Sequence, residues 1–350
     1  MTTSIHLALM GDDCKSSQSL TDLPNLSFGR LNHINHKHLR REELVSLIEE
    51  TTSEFVAVVD SQRFVDLSQL NQLNNLDLTA DPSAIHVLPF NDSESFIQSI
   101  ECLPPVAAFL SMNPLEYGLV LIPKSAFSIL QNLPDSVDIL WHTLILLTQT
   151  GVKHRCVSSV PFDLTNESQL PLPKLAPKSP KPDLNWLNHL LHDYQPDQDF
   201  PSISSQADAI ALKAGLLCIH DYLDESHVLS QSVQNQGVHQ AGDYWHYIMH
   251  RREADFSNAK YWSRVVGYHP IHDTLPELVR PLFDQPEGKG IASWKDRLLP
   301  DNRWSLNAFV DCCAECESGQ APELSKLARR LQWIEMQLLL QKTSLDAATV

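Results

Sequence analysis

The run "LPLPKLAPKSPKPD", residues 170–183, divides the chain into two halves with different hydrophobic patterning. Pro171, Pro173, Pro177, Pro180 and Pro182 alternate there with lysine and serine. Each proline fixes φ and removes a backbone donor, so the run favours extended polyproline geometry and is excluded from helix interiors and central strands. It is expected to be an exposed, semi-stiff linker over residues 169–183, separating a domain at 1–168 from one at 184–345. A chain of 350 residues, 43 % of them hydrophobic, is long enough for two separate cores.

Before that run, strand-like and helix-like segments alternate. "SIHLALMG", "LSFGRLNHI", "FVAVVD", "AIHVLPF" and "YGLVLIP" are short and β-branched or continuously apolar, as strands buried on both faces must be. Between them, "HLRREELVSLIEETT" sets Leu39, Leu44, Leu47 and Ile48 near helical spacing, and "SVDILWHTLILLTQTG" is a helix closed by Gly151. This alternation predicts an α/β fold with a mostly parallel sheet. After the proline run the strand pattern disappears. "DLNWLNHLLHDY", "QADAIALKAGLLCIHDYLDESHVLSQSV", "AGDYWHYIMHRREA", "FSNAKYWSRVVG", "NRWSLNAFVDCCAECESG" and "PELSKLARRLQWIEMQLLLQKT" all carry helical apolar spacing, which predicts an all-α second domain.

Composition narrows the partners. The formal charge is −17, negative in both halves, and the compact basic cluster Arg251-Arg252 is too small to reverse it. Such a surface repels phosphate backbones and anionic lipid, so neither nucleic acid nor a membrane is an expected partner. No stretch reaches the roughly 18 apolar residues of a membrane span, and "MTTSIHLALMGDD" lacks the layout of a signal peptide. The seven cysteines are odd in number and mostly isolated, a pattern of free thiols in a reducing compartment. Cytoplasmic residence is the expectation.

In open α/β sheets the ligand crevice lies beyond the carboxyl ends of the strands. The segment "EFVAVVDSQRFVD" runs an apolar strand, Phe55 to Val59, into Asp60, and so aims an acid at that crevice. The order of amphipathic helix, "EFVAVVD", polar turn and "DLSQLNQLN" resembles the core of the GT-A fold of family 2 nucleotide-sugar glycosyltransferases. In that family the strand ends in an Asp-x-Asp motif that holds a divalent metal, manganese or magnesium, and the sugar diphosphate. The resemblance implies that Asp60 matches the first acid, while Gln62 stands where the second carboxylate would be, a poorer ligand for a hard cation. It further implies a nucleotide-sugar partner, with Asp12 of "MGDD" near the nucleotide. Asp138, before the helix "ILWHTLILLTQTG", would be the general base toward the acceptor hydroxyl. The alternative reading of the residues is a turn-capping acid at Asp60 and a helix-dipole acid at Asp138.

Histidine is concentrated in the second half, with nine of 16 between His189 and His272. His220, Asp224 and His227 stand at i, i+4 and i+7, as do His246, His250 and Glu253. On continuous helices each set shares a face. Two such faces packed together would gather imidazoles and carboxylates in a composition suited to zinc or iron, similar to the three-histidine sites of DinB-like helical proteins. The alternative is a half-buried aromatic face with satisfied ring nitrogens. The stretch "DYWHYIMHRREADFSNAKYWSRVVGYHP" is similar to a tetratricopeptide-like helix pair, in which Trp245, Ala259 and Trp262 pack. It also resembles a block of form YWHxIxHRRExDFxNAKYW in uncharacterised bacterial and fungal helical proteins. The residues of "CCAEC", lacking a second cysteine pair, fit a helix with small thiol side chains.

Three functions remain open at this level. The first is a glycosyltransferase-like protein, catalytic or degenerate, using a nucleotide-sugar donor. The second is a metal-dependent helical enzyme with ligands among His220, His227, His246, His250 and Glu253. The third is a non-catalytic protein that binds a protein partner through tetratricopeptide-like helices.

Overall fold

A computed structural model describes residues 5–10, 26–30, 41–60, 69–70, 72–73, 76, 78–90, 101–133, 140–157, 172–180, 184–284, 291–319 and 321–348. The chain divides into two compact units, Met1–Pro171 and Leu172–Val350.

The first unit is α/β. Its described elements are β1 (Ile5–Met10), β2 (Leu26–Arg30), α1 (Arg41–Glu50), β3 (Phe55–Asp60), β4 (Ile85–Pro89), α2 (Pro105–Ser111), α3 (Pro114–Tyr117), β5 (Gly118–Pro123), α4 (Phe127–Gln131), α5 (Leu140–Gln149) and β6 (His154–Cys156). The strand order is β2-β1-β3-β5-β4-β6. β1 pairs in parallel with β2 and β3, and β4 in parallel with β6, whereas β5 is antiparallel to both of its neighbours. Five of these six strands therefore point the same way and β5 alone is reversed.

The continuous apolar runs of β3, β4 and β5 follow from burial on both faces, since Val56, Ala57, Ile85, Val87, Val120 and Leu121 are all inaccessible to solvent. α1 buries Leu44, Leu47 and Ile48, at i, i+3 and i+4, and exposes Glu42, Glu49 and Glu50, the stripe its sequence spacing demands. α5 ends as its sequence predicts. Gly151 adopts φ 95°, a left-handed conformation that costs glycine little, and its N–H bonds to the Thr148 carbonyl at 3.0 Å.

Among its described residues the second unit is all-α apart from an isolated bridge between Ile203 and Ala348. It contains α6 (Asn185–Asp193), α7 (Pro196–Asp199), α8 (Gln206–Ile219), α9 (Leu223–Ser232), α10 (Ala241–Arg252), α11 (Phe256–Val266), α12 (Ile271–Phe283), α13 (Ile291–Leu298), α14 (Leu306–Glu317) and α15 (Pro322–Ala347). α15, with 26 residues, is about 39 Å long at 1.5 Å per residue, and packs against α8, α12 and α14. Every residue of α10 is buried, so this helix forms the centre of the unit. Gly215 of α8 lets the two helices meet, because a Cβ at that position would lie 2.4 Å from the indole of Trp245.

The proline-rich stretch, expected as an exposed, semi-stiff linker, is hydrogen-bonded to the helical unit at residues 172–174. Arg329 donates to the carbonyls of Leu172 and Pro173, and Gln332 and Arg252 donate to that of Lys174. Prolines remove donors but leave carbonyls, and the carbonyls of this stretch accept from the two arginines and the Gln332 amide. Among the described residues no helix is long and apolar enough to cross a membrane. Cys312, Cys313 and Cys316 are buried in α14.

Candidate functional site

α10 carries two of the candidate ligands. His246 and His250 are one helical turn apart on a helix buried all round, and their rings stack with centroids 4.8 Å apart. α9 packs against α10 and brings His227 to the same place, its ring 4.7 Å from that of His246 and 5.3 Å from that of His250. One donor nitrogen from each of the three lies within 4.8 Å of the other two. His246 is 2 % exposed and His250 8 %, whereas His227 is half-buried and opens the cluster toward solvent.

The protonation of these rings follows from their surroundings. Burial first, then the neighbouring His250 and His227 rings, lowers the His246 pKa to about 3. Burial likewise lowers that of His250, against the raising effect of Glu253. Both are therefore neutral near pH 7, with a lone pair on each ring. Glu253, expected among the ligands, instead meets His250 Nδ1 through its Oε2 at 3.2 Å. A carboxylate accepts, so Nδ1 carries the proton and Nε2 keeps the lone pair, the arrangement by which outer carboxylates orient ligating histidines.

His220 is not part of this group, and the expected face of His220, Asp224 and His227 does not form. The apolar pattern of residues 206–233 reads as one helix, but the chain turns at Asp221, where φ is +72°, and α9 starts afresh at Leu223. Buried Arg252 stabilises the turn, pairing with Asp221 at 2.5 Å and donating to the buried carbonyl of Cys218 at the end of α8. Asp224 is exposed on the first turn of α9.

In the first unit, Asp60 is the last residue of β3 and lies in register with Met10 at the end of β1. The chain leaves β1 for β2 on one side and returns with β3 on the other. The β1/β3 boundary is therefore a topological switch point, where ligand crevices of open α/β sheets lie. The Asp60 side chain, and Asp12, Gln62 and Asp138 altogether, lie outside the described residues.

No family model matches this sequence, and no curated protein does. Two solved structures are similar over most of their length. A mannosyltransferase from Pyrobaculum calidifontis, solved with GDP-Man and Mn2+, is 10 % identical, with 92 % of this chain and 88 % of that chain covered and a TM-score of 0.33. Residues 1–349 of S. aureus TarS are 12 % identical, with 91 % and 92 % covered and a TM-score of 0.30.

Two relationships escape sequence reasoning. Trp262 of α11 stacks on His246 with ring centroids 3.9 Å apart, across a helix pair whose turn no local pattern orients. Next to the cluster, Arg251 and Glu335 form a fully buried ion pair at 2.6 Å. Tyr244 Oη and Trp304 Nε1 both donate to Glu335 Oε1. The sequence signal for such a network is only the presence of charges inside apolar helical patterns.

Proposed function

We propose that the first unit binds a nucleoside-diphosphate sugar at the carboxyl ends of β1 and β3, and that the protein is a glycosyltransferase-like transferase. The observation that supports this reading is the place of Asp60: it closes β3 at the switch point of the sheet, in register with Met10. Asp12 follows β1 by two residues and would stand by the nucleotide. Asp138, two residues before α5, would accept the proton of the acceptor hydroxyl.

The donor set is modest but chemically sufficient. Magnesium and manganese at phosphate sites are held by one or two carboxylates together with the substrate's own oxygens and water. Asp60 supplies one carboxylate and Gln62 a neutral amide oxygen. A metal held there would offset the charge developing on the departing diphosphate. Aligning the donor is left to the chain's own residues around the crevice.

A melting experiment on the full chain tests this reading. UDP or GDP, alone or as the sugar-linked forms including GDP-mannose, should raise the melting temperature in the presence of Mn2+, because a ligand that binds only the folded state stabilises it by mass action. Asp60→Asn should abolish the rise and His246→Ala should leave it intact. The reading fails if none of these nucleotides shifts the wild-type melt.

A further inference from the structure

We infer that His227, His246 and His250 form a binding site in the helical unit for one divalent transition metal of zinc type, with one coordination position left to water. This site is separate from the donor crevice and does not depend on it.

Three observations carry the assignment. The first is convergence, since three imidazoles from two helices place donor nitrogens within 4.8 Å of one another. Tetrahedral zinc with bonds of about 2.0–2.1 Å to nitrogen separates its ligand atoms by about 3.3 Å, so modest ring rotations close the set around an ion. The second is the state of His246. It is 2 % exposed, yet among the described residues neither Nδ1 nor Nε2 has a hydrogen-bond partner. Buried polar atoms are nearly always paired, and an orphan of this kind signals an ion or water. By contrast, His86, His269 and His272 each keep at least one ring nitrogen paired, although His86 Nδ1 and His269 Nε2 are also without a partner among the described residues. His86 Nε2 meets the Asp81 carbonyl at 3.0 Å, and His272 uses both nitrogens, one with Tyr244 Oη and one with the His269 N–H. The third is the contact between His250 Nδ1 and Glu253 at 3.2 Å. It fixes the tautomer that leaves Nε2 free to ligate and sets one negative charge beside the incoming cation.

The donor chemistry selects the metal. Neutral imidazoles suit zinc, copper, nickel and iron, whereas magnesium, calcium and manganese prefer oxygen. Structural zinc sites are usually closed by four protein ligands. Three protein ligands with a water are the pattern of sites that activate water or bind substrate. Among the described residues the cluster holds three ligands, and its open side is that of half-buried His227.

The test uses the full chain, stripped with chelator and titrated with Co2+ and then Zn2+. One equivalent of Co2+ should bind and develop the strong visible absorption of low-coordinate, nitrogen-ligated cobalt, and one equivalent of Zn2+ should displace it. His250→Ala and His227→Ala should each weaken binding at least tenfold. His227 is half-exposed, so its variant retains the wild-type circular dichroism, which keeps the experiment decisive even where a buried variant fails to fold. Asp60→Asn should bind Co2+ like the wild type. The assignment is overturned if the wild type takes up no more Co2+ or Zn2+ than the His227→Ala/His250→Ala double variant, or if Asp60→Asn alone removes the metal.

Discussion

His246 lies face to face with Trp262, with ring centroids 3.9 Å apart and planes inclined by 25°. The indole shields the imidazole from water and holds its plane, so Trp262 acts as a positioning residue for the cluster. Trp262→Ala should destabilise the protein by about 3 kcal/mol, as large-to-small changes at buried aromatics do. In protein still folded at low temperature it should also weaken Co2+ binding by on the order of tenfold, the scale seen for lost outer-shell support. Trp262→Phe should restore most of the affinity. Unchanged Co2+ affinity in folded Trp262→Ala would reduce the stack to packing alone.

The pair Arg251–Glu335 is a buried charge arrangement that is costly to disturb. Both side chains are fully buried at 2.6 Å, and Arg251 also lies 4.3 Å over the Phe309 ring. Glu335→Ala strands a guanidinium without its counter-charge and frees Tyr244 Oη and Trp304 Nε1 from their acceptor. The expected loss is about 3–5 kcal/mol in denaturant unfolding. Combining it with Arg251→Met should recover part of that loss, because the unpaired charge disappears. A cost below about 1 kcal/mol for Glu335→Ala would contradict this account.

His269 should be one source of acid sensitivity, as His246 should be. Burial, with smaller contributions from His272, His239 and Lys342, lowers the His269 pKa to about 3. Because the folded value lies below the unfolded value of about 6.5, the unfolded chain binds more protons throughout the interval between them. The contribution of this residue is thus complete above about pH 6.5 and declines as pH falls toward 3, by up to about 1.4 kcal/mol per pH unit. Denaturant midpoints at pH 7, 6, 5 and 4 should fall more steeply for the wild type than for His269→Leu. Parallel curves would show that His269 is not such a source.

Gly215 should not tolerate a side chain. A Cβ there would stand 2.4 Å from Trp245 Cε2 and 3.0 Å from Leu340 Cδ1, and the fully buried indole has nowhere to retreat. Gly215→Leu should cost about 1–3 kcal/mol through overpacking of α8 against α10 and α15, read as a lowered melting temperature. Gly215→Ala should cost less, and a variant as stable as the wild type would mean that the helices can separate freely.

The sequence by itself determined the local elements and the contrast between the two units. Continuous apolar runs became the central strands and the 3.6-residue stripes became helices, because each pattern reports which side of a short segment is buried. It also determined that His246 and His250 share a face, since two residues four apart on one helix are neighbours whatever else the chain does. The reversed direction of β5, and the placing of β1 between β2 and β3 that puts the switch point beside Asp60, depended on which strands paired, which is not a local property. Only tertiary structure decided the membership of the histidine cluster. His227 joined because α9 packs on α10, and His220 was left out because Asp221, held by Arg252 from 31 residues away, breaks a helix that the hydrophobic pattern runs straight through. The same holds for Trp262 on His246 and for Glu335 opposite Arg251. Their energies come from desolvation and close approach between segments distant in sequence, and a periodicity records that a residue is buried without naming what it is buried against.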